Sequence, residues 1–232
     1  MTATPERDSH GDDAGAATNA RRDALMLATL PHVPFDGWTA RAIRAGAADL
    51  GIDEAAADNL VPGGPAEAMA LLHSWADREM VRRYGADPTE GLRTRDRAAL
   101  ALKLRFRACL PHREAVRQGV SFLAQPQHAP LAAKLGWRTC DTVWQLLRDG
   151  ATDFNWYTKR GLLGAVYGAA VMYWLADKSV GAAATDQFID RRIADVMRVP
   201  KLMADARKAA ERFPSPLRFF RSVRNPRSYR GF

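Results

Sequence analysis

The chain has 232 residues, 47% hydrophobic and 26% charged, which suits one large domain with a substantial core. Cys109 and Cys140 are its only cysteines, so a disulfide scaffold is excluded and a reducing compartment is the simple expectation. The net charge of +8 is uneven: ten of the 34 basic groups but only two of the 26 carboxylates lie beyond residue 197, so the rest of the chain is charge-balanced. A basic block of this kind addresses an anionic partner, phospholipid or nucleic acid.

Strand formers are scarce, with isoleucine only at 43, 52, 189 and 193, while alanine and leucine dominate. The expectation is all-α. Residues 1–20 are polar, with Glu6, Asp8, Asp12 and Asp13 against Arg7 alone, and read as a disordered acidic N-terminus. They carry neither the apolar stretch of a signal peptide nor the Arg-rich, acid-poor pattern of a mitochondrial presequence. A first helix is predicted from about Arg22 to Leu30, stopped by Pro31 and Pro34. Thr39 caps a second, Ala40 to Leu50, closed by Gly51. Asp53 caps a short third helix that ends near Pro62-Gly63-Gly64-Pro65. A fourth runs to about Tyr84 and a fifth from about Arg93 to Leu110, before Pro111. Two shorter helices bracket the loop around Pro126 and Pro130, and another spans Lys134 to Leu147.

The strongest periodic signal follows. Leu163, Val166, Tyr167, Ala170, Val171 and Trp174 fall on one helical face. Gly161, Gly164 and Gly168 interrupt that helix, each costing about 1 kcal/mol of propensity relative to Ala. Close helix packing or room for a ligand would offset this. The uncharged run from Gly161 to Ala176 is shorter than the ~20 residues that span a bilayer, so it reads as a core helix. A further helix covers about Thr185 to Met197, and Pro200 opens a last one.

No Walker sequence, dinucleotide fingerprint or nucleophile elbow occurs, and no histidine has Glu three residues before it, as a di-iron bundle requires. His73 and Asp77 share a helix face, a pairing that reads as polar packing rather than a metal site. The expectations are therefore no catalytic residues, no metal and no cofactor.

Two segments carry a family resemblance. One is Leu30-Pro31-His32-Val33-Pro34-Phe35-Asp36-Gly37-Trp38-Thr39. The other is Thr152-Asp153-Phe154-Asn155-Trp156-Tyr157-Thr158-Lys159-Arg160, preceded by Asp141 and Trp144. Together they resemble the ubiquinone (coenzyme Q) biosynthesis lipid-binding accessory family with a TetR-regulator-like fold, over roughly residues 22 to 210. The Ala/Arg-rich composition suits a bacterial member, at the cytoplasmic face of the inner membrane. The order Asp149-Gly150 departs from the reverse order frequent in relatives.

The resemblance implies a TetR-like bundle of about nine helices over residues 21–197, with a helix-turn-helix-like part at 22–62, and an amphipathic basic segment at 198–232. It implies an interior site for an isoprenoid quinone intermediate or phospholipid; Leu163, Tyr167, Val171 and Trp174 are the candidates. It implies a landing surface for the demethoxyubiquinone hydroxylase made by Asp141, Val143, Trp144, Trp156, Tyr157 and Arg160. Adjacent Trp156 and Tyr157 point ~100° apart on a helix, so both cannot enter one core. The simpler reading makes Trp156 a core residue behind an Asp153 or Asn155 cap; the resemblance favours the interface. A homodimer is a further expectation.

In the basic segment Arg212, Phe213, Leu217, Arg218, Phe219, Phe220, Arg221 and Arg224 interleave rings with guanidinium groups, a pattern suited to the headgroup boundary of an anionic membrane. The competing class is a TetR-type DNA-binding regulator. Its would-be recognition helix carries Asp53, Glu54 and Asp58, and no Lys or Arg occurs from Asp53 through Asp77, so phosphate backbone would be repelled and no nucleic-acid partner is expected.

Overall fold

Local capping chemistry sets the boundaries of the N-terminal helices. In the computed structural model, which describes residues 9–87, 89–147 and 154–196, all regular structure is helical. α1 spans Ser9–Thr29, α2 Val33–Asp36, α3 Ala40–Asp49 and α4 Glu54–Leu60. Thr39 accepts a hydrogen bond from the Ala42 amide at 3.3 Å, and Asp53 Oδ1 accepts one from the Ala56 amide at 2.8 Å. Gly51 leaves α3 with φ +65°, the left-handed conformation that ends helices. The longer helices follow: α5 Gly64–Ala86, α6 Thr94–Cys109, α7 Arg113–Leu123, α8 Ala129–Leu146 and α9 Phe154–Ala176, with α10 over residues 183–196.

Two boundaries differ from the sequence expectation. α1 begins at Ser9 rather than Arg22, so residues 9–20 are helical and not disordered. Ala16, Ala17 and Ala20 are exposed and supply helix propensity without any buried face. α8 begins at Ala129 as one helix, because Pro130 occupies its first turn, where no amide partner is needed.

The inward face of α1 is Leu25, Met26 and Thr29, all at most 1% exposed, and the Thr29 hydroxyl is satisfied by the Leu25 carbonyl at 2.8 Å. α3 crosses α1 at Gly46, where a methyl group would fall 2.6 Å from the Thr29 backbone nitrogen. Trp38 closes this N-terminal cluster onto α7 by donating from Nε1 to the Ala115 carbonyl at 3.0 Å. Leu102, Phe106, Val143, Leu163, Trp174 and Ile189, from α6, α8, α9 and α10, are further buried apolar side chains, with the Phe106 and Trp174 rings 5.6 Å apart. α10 is also tied to α6 by Lys103–Asp190 and Arg107–Asp186, both at 2.6 Å. Between α9 and α10 the Asp177 carboxylate accepts from the Ser179 amide and from the amide and hydroxyl of Thr185, at 2.6 to 2.8 Å. Those hydrogen bonds outweigh burial and hold its pKa well below the usual carboxylate range. The compact body extends to Ile193. Among the described residues no helix is long and apolar enough to cross a membrane.

Candidate functional site

A cavity of about 350 Å³ opens between α5, α6, α7, α8 and α9. α5 presents Met69, Leu72, His73 and Ala76, spaced so that all four fall on one stripe. α7 adds Val116, Val120 and Leu123, and α9 adds Tyr167, Val171 and Trp174. Glycines shape two of the walls. Gly168 on α9 and Gly136 on α8 line the cavity with nothing within 4 Å of where a Cβ would be. Gly164 instead faces α8, with Cys140 Sγ at 3.7 Å, and Gly161 faces open space. On this helix the glycine that makes room is Gly168.

One part of the lining is polar. Arg105 on α6 is buried at 5% exposure, and its Nε donates to Asp77 Oδ1 at 2.7 Å. Thr139 on α8 donates to the same carboxylate at 2.9 Å. A buried charge persists only when paired and hydrogen-bonded, and both conditions hold here. Arg105 Nη2 lies 3.2 Å from His73 Nδ1, and its guanidinium stacks over the Tyr167 ring at 5.1 Å. Burial, reinforced by the charges of Arg105 and Arg138, lowers the His73 pKa to about 3, so the ring is neutral. Burial also raises Tyr167 to about 12 and Cys140 to about 11, and pushes the Cys109 thiol up, so none of these is an activated nucleophile at neutral pH. Among the described residues no cluster of His, Cys, Asp or Glu could hold a metal ion.

The residues singled out in the sequence fall into three groups. Tyr167, Val171 and Trp174 line the cavity, whereas Leu163 is buried and is not part of its lining. Of the predicted landing surface, Val143 is 0% and Trp144 4% exposed. They share the inward stripe of α8 with Thr139 and Cys140 and cannot make direct contact with a partner in this conformation. Asp141 sits outside that stripe and accepts from Arg160 Nε at 2.7 Å and from Gln145 Nε2 at 2.8 Å. That ion pair joins α8 to α9, with Arg160 itself buried. The side chains of Trp156 and Tyr157, and the residues Arg212, Phe213, Leu217, Arg218, Phe219, Phe220, Arg221 and Arg224, lie outside the described part of the structure. The sequence reading missed Arg105, Thr139 and the cavity role of His73. Only the His73/Asp77 spacing on α5 signalled them.

Comparison with known proteins places this architecture. A model of the COQ9 family matches residues 129–200, which take in α8, α9 and α10. The chain is 31% identical over 181 residues to "Ubiquinone biosynthesis protein COQ9, mitochondrial" of Rattus norvegicus, covering 75% of this chain and 57% of the relative. The Homo sapiens protein of the same name is 30% identical over 179 residues, covering 75% and 56%. The Drosophila melanogaster protein is 29% identical over 199 residues, covering 83% and 60%. The chain thus spans less than two thirds of the length of these relatives. The fold is that of a TetR transcriptional regulator from Nitrosomonas europaea, with a TM-score of 0.64 at 17% identity over 77% of this chain and 98% of that one.

Proposed function

Since the chain belongs to the COQ9 family of ubiquinone-biosynthesis proteins, we propose that it is a non-catalytic accessory protein that binds isoprenoid quinone intermediates and presents them to the demethoxyubiquinone hydroxylase at a membrane surface. The observation that carries the lipid reading is the apolar cavity behind α9. Its volume lies at the low end of the ~300–1,000 Å³ of small-molecule sites, enough for part of a long isoprenoid but not all of it. A ligand held this way keeps some of its length outside the protein, as handing it on would require.

The membrane part of the proposal rests on residues 198–232, whose alternation of Phe and Arg suits anionic headgroups, each basic residue adding about 1 kcal/mol near such a leaflet. The hydroxylase contact rests on Trp156 and Tyr157, and on the Asp141–Arg160 pair, whose Arg160 follows Tyr157 by three residues in the sequence. Burial of Val143 and Trp144 narrows this surface and gives those two residues a supporting role beneath it.

The test is mass spectrometry of lipids extracted from the purified full chain, with flotation of the same sample on anionic vesicles. Isoprenoid quinones in near-stoichiometric amount, together with flotation that weakens as salt rises, are the expected result. A protein that carries no lipid and ignores vesicles overturns the proposal.

A further inference from the structure

The cavity walls are apolar except where His73, Arg105 and Tyr167 meet, and the chemistry of that meeting point is fixed by its hydrogen bonds. A guanidinium can only donate, so His73 Nδ1, 3.2 Å from Arg105 Nη2, must be the acceptor. In the neutral ring the proton is then on Nε2, which becomes a donor. Neither His73 Nε2 nor the Tyr167 hydroxyl has a hydrogen-bond partner among the described residues, and neither is a fully enclosed orphan. Both side chains line the cavity. Among the described residues no acidic side chain does: Asp77 is held behind the lining by Arg105 and Thr139. The positive charge of Arg105 is matched by Asp77 at 2.7 Å, so little of it is left for an anion.

We propose that this cluster reads the head of the ligand: a neutral, oxygen-bearing ring whose carbonyl or ether oxygens accept from His73 Nε2–H and the Tyr167 hydroxyl, with the adjoining hydrocarbon against Leu72, Val120, Val171 and the open flank of Gly168. The inference rests on the lipid-binding reading above and deepens it, because it assigns the enclosed end of the ligand and makes His73 and Tyr167 specificity-determining. A cavity that gripped only hydrocarbon would have no use for donors in its wall. Presenting two donors and no carboxylate selects an acceptor-rich ring over both a bare isoprenoid and a carboxylic acid.

The experiment titrates the full chain with three probes, following tryptophan fluorescence: a short-chain ubiquinone, farnesene as an isoprenoid without an oxygenated head, and farnesoic acid as its anionic counterpart. The native chain is expected to prefer the quinone to farnesene by about tenfold or more. Tyr167→Phe removes one hydroxyl without changing shape, and His73→Leu removes the other donor. Each is expected to weaken quinone binding by about five- to tenfold while leaving farnesene binding unchanged. Thermal unfolding of each variant checks the fold, and the isosteric Tyr167→Phe decides the matter if His73→Leu fails to fold. Equal binding of quinone and farnesene, or loss of both alike in Tyr167→Phe, overturns the head assignment but leaves the lipid reading standing. Tightest binding of farnesoic acid also overturns it, in favour of an anion site at Arg105. Failure of all three probes with the native chain removes the lipid reading itself.

Discussion

Gly46 and Gly168 both interrupt helices, and the same substitution at each should have opposite effects. At Gly168 an added methyl group meets nothing within 4 Å, so Gly168→Ala gains helix propensity without a clash. Stability should rise by up to about 1 kcal/mol, read as a higher urea midpoint at unchanged slope. At Gly46 the methyl would fall 2.6 Å from the Thr29 nitrogen and 2.8 Å from the Ala28 carbonyl carbon. Backbone cannot yield as a flexible side chain can, so Gly46→Ala should cost about 1–3 kcal/mol by forcing α1 and α3 apart. The residue scale thus separates a glycine needed for packing from one that leaves room beside a cavity. Two substitutions shifting the midpoint in the same direction would contradict that distinction.

At the scale of elements, α4 is the helix that the sequence reading offers as a would-be recognition helix, and its chemistry opposes DNA. Asp53 caps it, Glu54 and Asp58 decorate it, and the nearby basic groups are engaged: Arg44 with Glu54 at 3.1 Å, Arg41 with Asp36 at 3.2 Å and Arg22 with Glu67. Gel-shift titration of the full chain should show no sequence preference among duplexes. Any binding should come from the basic residues beyond 197 and collapse between about 50 and 200 mM salt; sequence-selective binding at the higher salt would refute this. Elements differ in how far they were legible. The caps at Thr39 and Asp53 were readable because capping is local chemistry, and the α9 stripe because one helix supplies the whole pattern. The start of α8 was not, since a proline reads equally as a breaker or as a first-turn residue. The polar cluster was not either: it draws on α5, α6 and α8. In the run Lys103, Arg105, Arg107 nothing local marks Arg105 as the one turned inward, with 6% side-chain exposure against 17% and 48%.

For the whole molecule, the buried groups prescribe how stability depends on pH. His73 sits among Arg105, Arg138, Asp77, Tyr167 and Cys109, and its folded pKa of about 3 lies far below the ~6.5 of an unfolded histidine. Between those values the unfolded chain binds a proton that the folded chain refuses, so stability declines as pH falls below about 6.5. One such proton gives a slope approaching 1.4 kcal/mol per pH unit. Burial lowers the His112 pKa as well and adds in the same direction. Asp177 acts later: its carboxylate stays ionised in the fold, so its contribution is intact above about pH 4 and is lost as pH falls further. The melting temperature should therefore begin to drop near pH 6, before ordinary carboxylates titrate, and fall again below pH 4. His73→Gln, which keeps a polar partner for Arg105 without a titrating ring, should flatten the profile between pH 6.5 and 4.5 and leave the lower step in place. An unchanged slope in that window would mean that His73 takes up its proton in the fold as readily as in the unfolded chain, and with that the hydrogen bond from Arg105 to a neutral Nδ1 would lose its basis.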